Sequence, residues 1–133
     1  MRKLDRILLV DDDPTTNFLN ELLINEMGIT NELIIALNGQ EALDELIETC
    51  IRNNNCPNLI LLDINMPVMN GFDFLKRFNE LDFKNKHSIV VVMLTTSLNP
   101  RDNEKAKELK AKDHISKPLT KEGLKDILNK YFK

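Results

Sequence analysis

Residues 59–63 read Leu-Ile-Leu-Leu-Asp. Four successive apolar side chains leave no polar face, so a strand here is covered on both sides, as the central strands of parallel sheets are. A carboxylate then closes the run. The same order recurs at Ile7-Leu-Leu-Val-Asp11 and at Ile89-Val-Val-Val-Met-Leu-Thr95, each an apolar strand ending in a polar residue. Arg6 to Val10, Glu32 to Ala36, Asn58 to Leu62, Ser88 to Leu94 and a short His114 to Ile115 are five candidate strands. Longer helical patterns alternate with them, which is the signature of an α/β chain with helices on both faces of a parallel sheet.

Phe18, Leu19, Leu22, Leu23 and Met27 fall on one helical stripe, as do Ala42, Leu43, Leu46, Ile47 and Cys50. The third helix carries Phe74, Leu75, Phe78 and Leu81, and the last carries Leu124, Ile127, Leu128 and Tyr131. These stripes are expected to be core. The fourth helix, from Pro100 to Lys110, has only Ala106 and Leu109 as clearly apolar residues, so it is expected to be the least firmly held. Pro14 and Pro100 suit first helical turns, where a missing N–H costs nothing. Gly39 and Gly71 stand where loops enter helices. With no repeat or low-complexity linker, residues 1–133 are expected to form a single domain, a length that supports one core.

The net charge of −3 and a charged fraction of 29% exclude a disordered chain and give no sign of direct nucleic-acid binding. Residues 1–99 carry −7 and residues 100–133 carry +4, so the basic last quarter is a candidate steering surface for an acidic protein. Cys50 and Cys56 form no CxxC or Cys/His pattern and are expected to be free thiols. The start Met1-Arg-Lys-Leu-Asp-Arg6 is basic, but Ile7–Val10 is far too short for a signal core or a membrane span, which predicts a cytoplasmic location.

In open α/β sheets, ligands bind at the carboxyl ends of the strands. Asp11-Asp-Asp13, Asp63, Thr95-Thr-Ser97 and Lys117-Pro118 all belong there. Carboxylates from neighbouring strand ends repel unless a cation or protons neutralise them. Oxygen donors without histidine or cysteine favour Mg²⁺ or Mn²⁺ over zinc, and Mg²⁺ shares phosphate oxygens readily. Lys117 adds a positive point charge and Thr95 a hydroxyl donor, which together make a cradle for phosphoryl transfer. Each residue alone has an ordinary structural explanation, as a cap, a β-former or a turn. For Asp13 the cap explanation suffices, because Asp13-Pro14 opens a helix. The coincidence at four strand ends points the others to chemistry.

Ile7-Leu-Leu-Val-Asp-Asp-Asp-Pro14, Leu61-Leu-Asp-Ile-Asn-Met-Pro-Val-Met-Asn-Gly71, Val92-Met-Leu-Thr-Thr-Ser97 and His114-Ile-Ser-Lys-Pro-Leu-Thr120 together resemble the receiver domain of two-component response regulators, over nearly the whole chain. The resemblance implies a flavodoxin-like (βα)5 fold, a doubly wound five-stranded parallel sheet in the order 2-1-3-4-5. It implies Asp63 as the phosphorylated residue, with Lys117 and Thr95 assisting catalysis. Asp11, Asp12, Asp63 and Asn65 would be the Mg²⁺ set, Asp12 the more direct ligand and Asn65 acting through its backbone carbonyl. Gly71 would supply an unusual backbone angle, and Lys117-Pro118 a cis bond.

Thr95 and His114 are the implied switch pair, His114 standing where the family commonly has Tyr or Phe. Thr96 is larger than the family's usual residue there, and its methyl would crowd the phosphoryl group or the attacking water. No glycine lies between Leu109 and His114, so the fourth helix is expected to end without one. The implied partners are a sensor histidine kinase or phosphotransfer protein, and a downstream protein bound through the fourth helix, fifth strand and fifth helix, where Lys105, Lys112, Lys121 and Lys125 are candidates. Neither nucleic acid nor a membrane is among them.

Two rival classes share parts of the pattern. Leu8-Leu-Val-Asp-Asp-Asp-Pro-Thr15 also resembles the opening of haloacid-dehalogenase-type phosphatases, with Asp11 as nucleophile, Asp13 as general acid, and Thr95 and Lys117 as later motifs. That family needs a strand-end acidic motif after the lysine, and only Glu122 and Asp126, inside an amphipathic helix, follow it. A flavodoxin-like cofactor binder would need a Ser/Thr/Gly-rich loop after the first strand, where three aspartates repel phosphate.

Overall fold

The computed structural model describes residues 3–96 and 99–133, so Met1 and Arg2 of the basic start lie outside it. Apolar runs form five strands: β1 (Leu4–Val10), β2 (Thr30–Ala36), β3 (Leu59–Asp63), β4 (Val90–Thr95) and β5 (Asp113–Ser116). They pair in parallel in the order β2-β1-β3-β4-β5. β3 and β4 are buried at every position, as their unbroken apolar character requires. The helices are α1 (Pro14–Met27), α2 (Gly39–Leu46, continued by a π-helical turn, Ile47–Arg52), α3 (Gly71–Glu80), α4 (Pro100–Glu108) and α5 (Lys121–Tyr131).

Two cores follow from the alternation of side chains across the sheet. One joins Leu8, Val10, Ile60 and Leu62 to α2, α3 and Ala106 of α4. The other joins Ile7, Leu9, Leu59 and Leu61 to Ile24 of α1 and Leu124, Ile127 and Leu128 of α5. Ala106 is the only buried residue of α4, in keeping with its poor apolar pattern. Its Lys105 lies over the Phe72 ring, 4.7 Å from the centroid. Lys110 takes the left-handed conformation (φ 71°) that ends α4 where a glycine is lacking.

Four local expectations are corrected, the last of them at Gly71. The α1 stripe is displaced: Asn17, Asn20 and Ile24 are buried, whereas Phe18, Leu19 and Leu22 are 59%, 57% and 51% exposed. The cause is polar anchoring. Asp13 caps the helix by accepting from the Thr15 N–H, and Asn17 Nδ2 donates to the Asp11 carbonyl at 2.9 Å, which sets the helix rotation about one position away from the apolar stripe. The π-helical turn likewise brings Ile47 out to the surface. The two cysteines are joined, Cys50 with Cys56 across a separation of six residues, because the turn after α2 folds back toward β3.

Gly71 is required for a reason other than backbone angle. A Cβ there would collide with the Asp63 carbonyl, and its N–H donates to the Ile64 carbonyl at 2.8 Å. The positive φ of this loop falls on Val68 (68°), in a three-residue turn closed by Met69 N–H to the Pro67 carbonyl. A β-branched residue resists that conformation, and Val68 is 84% exposed, so little packing offsets it. Val68→Gly is expected to raise stability by about 1 kcal/mol, read as a higher urea midpoint; an unchanged or lower midpoint would show the turn to be unstrained.

Candidate functional site

Parallel register carries residue 11 to the side of residue 63, because Val10 pairs with Leu62 at the carboxyl ends of β1 and β3. Asp11, Asp12 and Asp63 therefore converge, with one carboxylate oxygen from each within 4.8 Å of the others. Asp11 and Asp63 are buried, 1% and 8% exposed, and Asp12 faces solvent. The register of β4 with β5 sets Lys117 beside them, its N–H bound to the Thr95 carbonyl at 2.9 Å. Its ammonium lies 2.8 Å from Asp11 Oδ2 and 3.1 Å from Asp63 Oδ1.

The oxygens of these carboxylates differ in what they have left to offer. Asp11 is engaged at both, Oδ1 accepting from the Asp13 N–H and Oδ2 from Lys117. Asp63 Oδ1 accepts from the Ile64 N–H at 2.9 Å and faces Lys117, which among the described residues leaves Oδ2 for chemistry. Burial pushes the Asp63 carboxyl up from the ordinary carboxylate value, the Asp11 charge adds to this, and Lys117 opposes it. Burial works to lower the Lys117 ammonium, but hydrogen bonding and charge from Asp11 and Asp63 outweigh it and hold its pKa up. The all-oxygen donor set, with one exposed and two buried carboxylates, fits a hard divalent cation.

Thr95 ends β4 and is buried, and Thr96 beside it is exposed. Ser97 of the same polar run lies outside the described residues. Asn65 is exposed just past β3. The Lys117-Pro118 bond is cis. His114 is exposed on β5, beside a cavity of about 190 Å³ that Ala106 and Ala111 also line. Asp13 is absent from the acidic cluster and its oxygens serve Thr15 and Thr16, as a cap's should. Asn17, which ties α1 to the Asp11 carbonyl, was missed in the sequence; Asn17 and Asn20, three residues apart and so on one helical face beside the apolar stripe, are the signal that marks it. A groove of about 460 Å³ runs from Lys117 and Pro118 to Leu19 and Leu23, continuous with the exposed side chains of α1.

A family model for the response regulator receiver domain matches residues 7–129. The chain belongs to that family. It is 34% identical to Two-component response regulator 24 of Arabidopsis thaliana, covering 92% of this chain and 81% of that protein. It is 32% identical to sporulation initiation phosphotransferase F of Bacillus subtilis, covering 96% and 93%. A two-component response regulator from Cytophaga hutchinsonii has a solved structure that superposes with a TM-score of 0.88 at 35% identity, covering 98% of both chains. The receiver is thus a phosphoacceptor signalling domain with a CheY-like, flavodoxin-like fold, and the haloacid-dehalogenase reading falls. No helix among the described residues is long and apolar enough to cross a membrane.

The raised Asp63 carboxyl has a stability consequence. Below the ordinary value of 3.8, folded and unfolded chains are both protonated there and the group contributes nothing. As pH rises from there toward the higher folded value, the unfolded chain ionises while the folded state still holds its proton, so stability falls, and it levels off once both are ionised. In metal-free buffer Asp63→Asn is expected to be more stable than the native receiver by about 1 kcal/mol near neutral pH, with the gap closing toward pH ~4. Urea denaturation at both pH values checks this, and equal midpoints near neutrality would show that the carboxylate carries no such strain.

Proposed function

We propose that Asp63 Oδ2 accepts a phosphoryl group from a phosphohistidine on a sensor kinase or phosphotransfer protein, with Mg²⁺ held by Asp12, Asp63 and the Asn65 carbonyl, and Asp11 behind them. The observation that supports this is the asymmetry at Asp63, where Ile64 and Lys117 occupy Oδ1 and leave the other oxygen to attack in line. When bound, Mg²⁺ would screen the approach of two anions. Lys117 balances charge on the equatorial oxygens, and the Thr95 hydroxyl donates to one of them. The P–N bond to the donor histidine breaks as the P–O bond of the acyl phosphate forms on Asp63, the imidazole leaving with a proton from solvent, and water later hydrolyses the product, so the domain modifies itself and is not a turnover enzyme. Thr95 moving inward opens the space that His114 enters. Readout then passes to a protein target through α4, β5 and α5, where Lys105, Lys112, Lys121 and Lys125 are exposed.

The phosphoryl donor needs a surface beside Asp63, and the outward face of α1 offers one. Phe18, Leu19 and Leu22 are half exposed or more, a costly arrangement for a helix in water unless a partner covers it. The groove between Leu19, Leu23 and Pro118 leads from that face to Lys117. A helix presenting the phosphohistidine would lie there.

Incubation with acetyl phosphate and Mg²⁺, followed by intact mass, is expected to add one phosphoryl group to the native chain and none to Asp63→Asn; label retained in that variant would move the acceptor elsewhere. Leu22→Lys separates docking from chemistry. Labelling by acetyl phosphate should persist, while transfer from a phosphorylated histidine-containing phosphotransfer protein slows about tenfold or more; equal slowing with both donors would place the effect in the site instead of the surface.

A further inference from the structure

The sheet has a second polar edge, opposite Asp63, where β4 and β5 begin. Two basic connections meet there: Lys86-His87 ahead of β4, and Lys110-Ala-Lys112 between α4 and β5. They rim a cleft of about 400 Å³ whose floor is apolar, formed by Phe78, Ile89 and Val91 with Ala111 at its side. Among the described residues none of these four cationic or titratable side chains has an acidic ion-pair partner. Scattered surface lysines are ordinary; cations converging on a concave apolar floor are less so.

The walls are also pinned. Asn79 Nδ2 donates to the Leu109 carbonyl at 2.9 Å, joining α3 to the end of α4. Lys86 Nζ donates to the carbonyls of Asn79 and Leu81, which uses two of its three protons. Lys112 N–H is bound to the Val91 carbonyl at 2.8 Å, and the left-handed backbone of Lys110 turns the loop over the cleft. The cleft is therefore formed before any ligand arrives. Its volume of about 400 Å³ suits a small molecule and is too small for a nucleic-acid strand.

We propose that this cleft binds a small organic phosphate of nucleotide size, its phosphoryl oxygens on Lys110 and Lys112 with Lys86 behind them, and its body on the floor of Ile89, Val91 and Ala111. Clustered cations that lack acidic partners repel one another, and a di- or trianion removes that repulsion. The apolar floor adds a preference for an organic body over an inorganic ion. The site is independent of phosphorylation chemistry and lies at the other end of the strands.

The test is titration of the ¹⁵N-labelled native chain, without Mg²⁺, with ADP, adenosine and pyrophosphate in turn. ADP is expected to shift the Val91, Ala111 and Lys112 amides saturably, and a Lys110→Gln variant to bind it about tenfold more weakly or worse. That variant's remaining amides and its labelling by acetyl phosphate report that it is folded. Adenosine and pyrophosphate should each bind more weakly than ADP. Absence of saturable shifts at those amides, equal affinity in the variant, shifts confined to the surroundings of Lys117, or pyrophosphate or adenosine binding as tightly as ADP would each overturn the assignment.

Discussion

The ammonium of Lys117, 2.8 Å from Asp11 and 3.1 Å from Asp63, is the contact on which the site depends. Two buried carboxylates on adjacent strands repel through a medium that screens poorly, and one cation between them reduces that cost without removing it. Burial first, and the repulsion that remains, keep the Asp63 carboxyl above its ordinary value and make room for further positive charge. None of this geometry is local in sequence. Asp11 and Asp63 meet because Val10 pairs with Leu62, and Lys117 joins them because β5 pairs with β4 and its backbone is tied to Thr95.

Much of that is legible in the amino-acid sequence. Unbroken apolar runs identified β1, β3 and β4, since only strands buried on both faces tolerate them. Polar residues at their carboxyl ends, from Asp11 to Lys117, then mark the functional edge. The parts that could not be read are those set by side-chain anchoring and close approach. Asn17 turning α1 by its bond to the Asp11 carbonyl is invisible to an apolar-periodicity argument, which placed Phe18, Leu19 and Leu22 inside. The Cys50–Cys56 pairing depended on how the π-helical turn folds back, and spacing alone carries no sign of it.

The loop after β3 shows how close approach substitutes for conformational freedom. Gly71 sits against the Asp63 carbonyl, where any side chain would displace the backbone that carries the acceptor. Gly39 meets Met69 of the same loop in a similar way and donates its N–H to the Met69 carbonyl at 2.9 Å. Two glycines thus fix the loop's position while Val68, in its left-handed turn, absorbs the awkward dihedral. The glycine signal in the sequence was real, but its cause lies in packing against the strand end.

The segregation of charge to the two edges follows from the direction of the chain. In parallel βα units helices begin at the carboxyl edge of the sheet and end at the opposite one, so one edge gathers positive helix termini and the other negative ones. Aspartates 11 to 13 stand where α1 begins, and Lys86 binds carbonyls at the end of α3, as those fields favour. Charge of the right sign at an edge therefore says little by itself. At the carboxyl edge the distinguishing fact is that, among the described residues, one Asp63 oxygen remains uncommitted after Lys117 and Ile64 have engaged its twin. At the opposite edge it is concavity, since the lysines there surround an apolar floor instead of standing in open solvent.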